Sequence, residues 1–162
     1  TGVQTCALPI YKLAEEQLPL TLSVSLHAAE DARRSALMPV NRRYPLDELL
    51  QACGAYFRKT GRRVTFEYAV IASENDSPEM AKALGNRLRP IFPKQRPHVN
   101  LIPVNPVKER EFERPWRGEV VAFKKILEKN GINVTIRREM GRDIDGACGQ
   151  LRRKHLEERF HA

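Results

Sequence analysis

The chain has 162 residues, room for one domain with a real core, and its 41% hydrophobic and 30% charged residues are an ordinary globular balance. No apolar run approaches the roughly 18 residues of a membrane-spanning helix, so a membrane partner is not expected. The formal charge of +8 favours a polyanionic partner, RNA being the obvious one, and the three scattered cysteines (Cys6, Cys53, Cys148) suggest neither a disulfide framework nor a zinc site, which fits a reducing cytoplasm.

Residues 1–10 have no periodicity and read like translated adapter sequence at a broken gene end, so the domain is expected to occupy residues 11–162. A short helical piece over 11–17 is broken by Pro19. Residues 20–26 alternate apolar and polar side chains, which predicts a strand, with His27 where it runs out. A helical turn over 31–36 leads to a loop over 38–45 whose basic residues suit phosphate contact or plain solvation. Pro45 opens a helix with the stripe Leu46, Leu49, Leu50, Cys53 and Phe57, which makes Cys53 a core residue. Gly61 stops that helix. Residues 64–71 form a second strand, almost wholly apolar at its end, as strands covered on both faces are. Glu67 is the exception: an inward ligand, or a carboxylate paired with an arginine.

Ser77 caps the next helix with Pro78 at its first position, and Met80, Leu84 and Leu88 make its stripe. Residues 97–103 form a third strand. Asn105 follows at once, offering a donor and an acceptor to a ribose or adenine edge, or else a simple Asn-Pro turn. Val120, Phe123 and Leu127 stripe a helix that stops at Gly131, and 132–136 form a fourth strand. A loop then leads to Asp143, a plausible N-cap, and to a mixed-charge helix over about 150–160. Cys148 falls early after that cap, where the helix dipole with Arg142, Arg152 and Arg153 would favour a thiolate; read from the residues alone it is more often a small apolar filler, as most free cysteines are. Strands alternating with helices every 30 to 40 residues or so argue an α/β fold with a parallel sheet. Four strand–helix units are too few to close a barrel. The expectation is the C-terminal part of a partial (β/α) parallel barrel whose first strands are missing.

Three segments in order resemble one family: SLHA at 25–28, NLIPVNP at 100–106 and GRDIDGACGQL at 141–151. They are similar to the radical-SAM RNA methyltransferases that methylate C2 of an adenine in large-subunit rRNA and in tRNA. The resemblance covers about residues 18 to 155. It implies a radical-SAM type barrel, with Ser25, Leu26, His27 and Asn105 contacting S-adenosylmethionine. It also implies that Cys148 is the catalytic thiol, S-methylated by one S-adenosylmethionine. A second S-adenosylmethionine, reductively cleaved at a 4Fe-4S cluster, would generate the radical that carries the methyl carbon to adenine. The cysteine triplet that holds that cluster lies upstream in the family and has no match here, so no metal ligand is assigned and the chain alone is expected to be inactive. The resemblance further implies a cytoplasmic monomer served by a reductant protein. The rival reading, a non-catalytic basic RNA-binding module, accounts for the charge but not for three spaced motifs of one enzyme family.

Overall fold

The computed structural model describes residues 8–104 and 112–137. Cys6, Asn105, Asp143, Cys148 and the helix expected over 150–160 lie outside the described residues. Four parallel strands, β1 (Leu22–Ser25), β2 (Val64–Val70), β3 (His98–Pro103) and β4 (Asn133–Ile136), lie side by side in sequence order. Between β1 and β2 come α2 (Asp31–Leu37), a 3-10 turn (Pro39–Arg42) and α3 (Leu46–Thr60). Helix α4 (Pro78–Ile91) joins β2 to β3, and α5 (Arg117–Lys129) joins β3 to β4. This is the parallel α/β architecture that the alternation predicts. Crossovers of one hand between strands in simple order put the described helices on one face, and among the described residues no helix covers the other.

The burial pattern records that asymmetry. On β2, Val64, Phe66, Tyr68 and Val70 are buried while Thr65, Glu67 and Ala69 are only half-buried. A strand covered on both faces was expected here; helices cover one face, so the burial alternates. Strand β1 is also shorter than the 20–26 expected. Its pairing begins where Leu22 meets Val64, and the Leu20 carbonyl instead accepts a hydrogen bond from the Tyr56 hydroxyl at 3.0 Å.

The helices bury what their stripes require. Leu46, Leu49, Leu50 and Cys53 of α3 are in the core, as are Leu84 and Leu88 of α4 and Val120, Phe123 and Leu127 of α5. Fully burying a side chain of this size contributes ~1.5–3 kcal/mol. Tyr56, absent from the expected stripe, is buried, whereas Phe57 is half-buried and meets Phe92 edge-on at 5.6 Å between centroids. Ser77 caps α4 by accepting the Met80 N–H at 3.3 Å. Gly61 ends α3 at φ 65°, a left-handed turn that suits glycine. Helix α1 (Leu8–Glu15) packs on α3 and starts inside the 1–10 stretch that shows no periodicity in the sequence.

Candidate functional site

Parallel pairing puts every strand's C-terminal end at the same edge of the sheet. There β1 gives way to Leu26 and His27. Val104 leaves β3 with its N–H on the Val70 carbonyl at 3.1 Å, and Arg137 leaves β4 with its N–H on the Leu101 carbonyl at 2.8 Å. The segment Ser25, Leu26 and His27 therefore shares one end of the sheet with the approaches to Asn105 and to the Cys148 loop.

All three carbonyls of that segment are held. The guanidinium of Arg34, buried on α2, donates to the Ser25 carbonyl at 3.0 Å and the Leu26 carbonyl at 3.1 Å. It also donates to Asn41 Oδ1 at 2.6 Å and the Tyr44 carbonyl at 3.3 Å. Asn41 in turn donates to the Asp31 carboxylate at 2.9 Å, which ties the 3-10 turn to the start of α2. On the other side, Asn75 Nδ2 donates to the His27 carbonyl at 2.9 Å and the Ala69 carbonyl at 2.7 Å, while its Oδ1 accepts the Ile71 N–H at 2.7 Å.

His27 itself is bent into the left-handed region at φ 61°, unusual for a residue with a Cβ. Its Nδ1 accepts the Ala69 N–H at 2.9 Å. A nitrogen that accepts carries no proton, so the neutral ring is protonated on Nε2. Burial, with Arg34 as the second cause, lowers the pKa of His27 from 6.5 and favours that neutral form. The Leu26 side chain is buried, its N–H donates to the Glu67 carbonyl at 2.9 Å and its carbonyl is held by Arg34, so among the described residues Leu26 is committed to the fold; Ser25 is exposed on the face that no described helix covers.

That face carries a polar row. Ser25, Glu67, Asn100 and Thr135 stand at one register level across four strands. Asn100 Nδ2 donates to Glu67 Oε2 at 2.9 Å, the Thr135 hydroxyl donates to Asn100 Oδ1 at 3.0 Å, and His98 Nε2 lies 3.1 Å from that hydroxyl. Glu67, half-buried on that face, is thus a carboxylate held by an amide, and among the described residues no arginine pairs with it. A groove of about 530 Å³ bounded by Arg96, His98, Glu128, Asn133 and Thr135 opens toward the strands' N-terminal ends, away from His27.

Cys53 is a core residue. It is fully buried, and burial pushes its thiol up to about 12, so it stays protonated. Among the described residues no group of three His, Cys, Asp or Glu side chains could hold a metal ion, and no helix is long and apolar enough to cross a membrane. Arg34, Asn41 and Asn75 were not singled out in the sequence. Local composition does not mark them: Arg34 sits among other charges, and Asn75 lies in the turn after β2, just before the Ser77 cap.

Two solved structures are similar to the chain in fold. A radical SAM methyltransferase from Sphaerobacter thermophilus superposes with a TM-score of 0.83 at 46% identity, over 90% of this chain and 42% of that one. A domain of pyruvate-formate lyase-activating enzyme from Bacteroides vulgatus superposes at 0.65 and 14% identity, covering 84% and 77%, and supports the fold alone. Fold and strand-end site define the class: an α/β partial barrel of the radical-SAM type. No protein-family model matches the chain. The curated relatives do. "Probable dual-specificity RNA methyltransferase RlmN" of Pelotomaculum thermopropionicum is 56% identical over 154 residues, which is 94% of this chain and 41% of that protein. Its namesake from Lachnospira eligens is 49% identical over 158 residues, 96% and 44%. Over nearly its whole length the chain is similar to these RlmN proteins, and it spans a little under half the length of the curated relatives it matches.

Proposed function

We propose that the chain is the C-terminal part of an enzyme that transfers a methyl group from S-adenosylmethionine to C2 of adenine in large-subunit rRNA and tRNA, with Cys148 as the thiol that carries it. The single observation behind this is the shared sheet end: the fixed Ser25–His27 segment sits where the chain runs on toward Asn105 and Cys148. About half identity to relatives bearing that name, over nearly the whole chain, supports the substrate class.

The residues present fit S-adenosylmethionine, which when bound supplies the activated methyl group and the adenosyl moiety. With its carbonyls occupied by Arg34 and Asn75, the segment offers donors: the Ser25 hydroxyl and the Nε2–H of His27. Asn105, by its place after β3, would take a ribose or adenine edge. A 4Fe-4S cluster needs three closely spaced thiolates. The described residues contain one cysteine, buried and protonated, and do not fit it; its ligands belong upstream, and the chain alone is inactive. The net charge of +8 suits RNA. The reading carries with it a cytoplasmic, monomeric enzyme served by a reductant protein.

The test joins the chain to the upstream part of its family and assays rRNA and tRNA fragments by nucleoside mass spectrometry. 2-Methyladenosine is expected with the joined protein and not with residues 1–162 alone. Methylation at another position, or RNA binding without methylation by a cluster-loaded protein, would overturn the proposal.

A further inference from the structure

Asn75 is fully buried between two loops and spends its whole side chain on backbone. Its NH2 group donates to the His27 and Ala69 carbonyls and its oxygen accepts from Ile71. A flipped amide would set its oxygen against two carbonyl oxygens, so the network admits one orientation. The Asn75 carbonyl accepts the Tyr68 hydroxyl at 2.8 Å, which fixes the loop from the core side. The two residues whose carbonyls Asn75 grips are His27 and Ala69, whose N–H meets His27 Nδ1. The amide therefore sets both halves of the hydrogen bond that chooses the histidine tautomer.

We infer that Asn75 is a positioning residue, which fixes His27 as an Nε2–H donor for an acceptor atom of the ligand. Three observations converge on it. The ring nitrogen nearest Ala69 is committed as an acceptor. The positive φ of His27 is an arrangement that the surrounding bonds must hold in place. The other ring nitrogen has no partner among the described residues. The ligand group that this nitrogen suits is a hydrogen-bond acceptor such as a carboxylate or an adenine ring nitrogen; a cationic or donor-only group would meet a proton. The inference rests on the reading that His27 contacts S-adenosylmethionine, but the fixation of the ring can be tested without that ligand.

The test uses the ¹⁵N-labelled 162-residue chain. In the unsubstituted chain, His27 Nδ1 should resonate as an unprotonated nitrogen and Nε2 as a protonated one, with a scalar coupling across Ala69 N–H to Nδ1. Protonated Nδ1, or no coupling, overturns the inference without any variant. Asn75→Asp keeps an oxygen for the Ile71 N–H and loses both donations to carbonyls. It should move the two His27 nitrogens toward averaged shifts, while Asn130→Ala, on a distant helix end, leaves them alone. An unmoved His27 in Asn75→Asp, with the amide spectrum otherwise preserved, overturns the inference. Adding S-adenosylmethionine should shift the His27 Nε2–H, and Asn75→Asp should weaken its binding about tenfold, the loss of about one hydrogen bond. If the tautomer is as stated but the ligand leaves Nε2–H unshifted, contact between His27 and S-adenosylmethionine is refuted while the fixation by Asn75 stands.

Discussion

Replacing Arg34 removes the larger of the two holds on the strand-end segment. Arg34→Ala strips the donor from the Ser25, Leu26 and Tyr44 carbonyls and from Asn41 Oδ1 at once. A hydrogen bond to a charged group contributes ~1.5–3 kcal/mol, but the four are not additive, and the 3.3 Å contact to Tyr44 is the weakest by length. Breaking a buried charged network costs about 3–5 kcal/mol, so we expect a loss near 4 kcal/mol. Against a total stability of about 5–15 kcal/mol that is a large fraction. Arg34→Lys keeps the charge but cannot span two adjacent carbonyls with a planar fork, and should cost about 2 kcal/mol. Urea unfolding followed by circular dichroism, with slopes compared to confirm a common transition, measures both. A cost below about 1 kcal/mol for Arg34→Ala, or a lysine variant as stable as the parent, would refute the claim that this guanidinium organises the site.

Cys53→Ala should cost about 1 kcal/mol by the same unfolding assay, because the residue fills core space; a gain in stability would contradict that placement. His27→Gly should be more stable than His27→Ala by about 1 kcal/mol, since alanine at φ 61° meets the steric penalty that glycine avoids; equal stabilities would mean that the turn relaxes. The pH dependence follows from two histidines. Burial, then Arg34, lowers the pKa of His27, and burial, then Arg63, lowers that of His98, both from 6.5. The unfolded chain then binds protons more readily than the folded one, so this stability is complete above pH 6.5 and is lost as pH falls from there through the folded values. A melting temperature that falls below pH 6.5, less steeply in His27→Gln, is expected; one that rises on acidification would refute the sign.

Periodicity carried most of the fold. The stripes on α3, α4 and α5 and the alternation of β1 and β4 named their elements, with ends displaced by a few residues. What periodicity cannot say is whether one or both faces of a sheet are covered. β2 shows the limit: its apolar end reads as doubly buried, yet Ala69 sits half-exposed beside Glu67 because the helices all lie on one side. The candidate site was legible as a segment, through SLHA, and not as a mechanism of support. Arg34 and Asn75 act on backbone atoms 4 to 48 positions from their own, and nothing in local composition marks such a partner. Arg34 reads as one more surface charge and Asn75 as a loop residue before a cap. Only the parallel register, which sets Ser25 level with Glu67 and Asn100, brings them into one place.

Cys148 is where the proposed chemistry stands or falls. Joined to the upstream part of its family and supplied with S-adenosylmethionine, the protein should be digested and its cysteine peptides mapped by mass spectrometry. The account predicts one methyl group on Cys148 and none on Cys53, whose thiol is buried and held protonated. It further predicts that Cys148→Ala abolishes transfer to adenine in a protein that still folds. Methyl on Cys53, an unmodified Cys148 in an active protein, or adenine methylation surviving Cys148→Ala would contradict it.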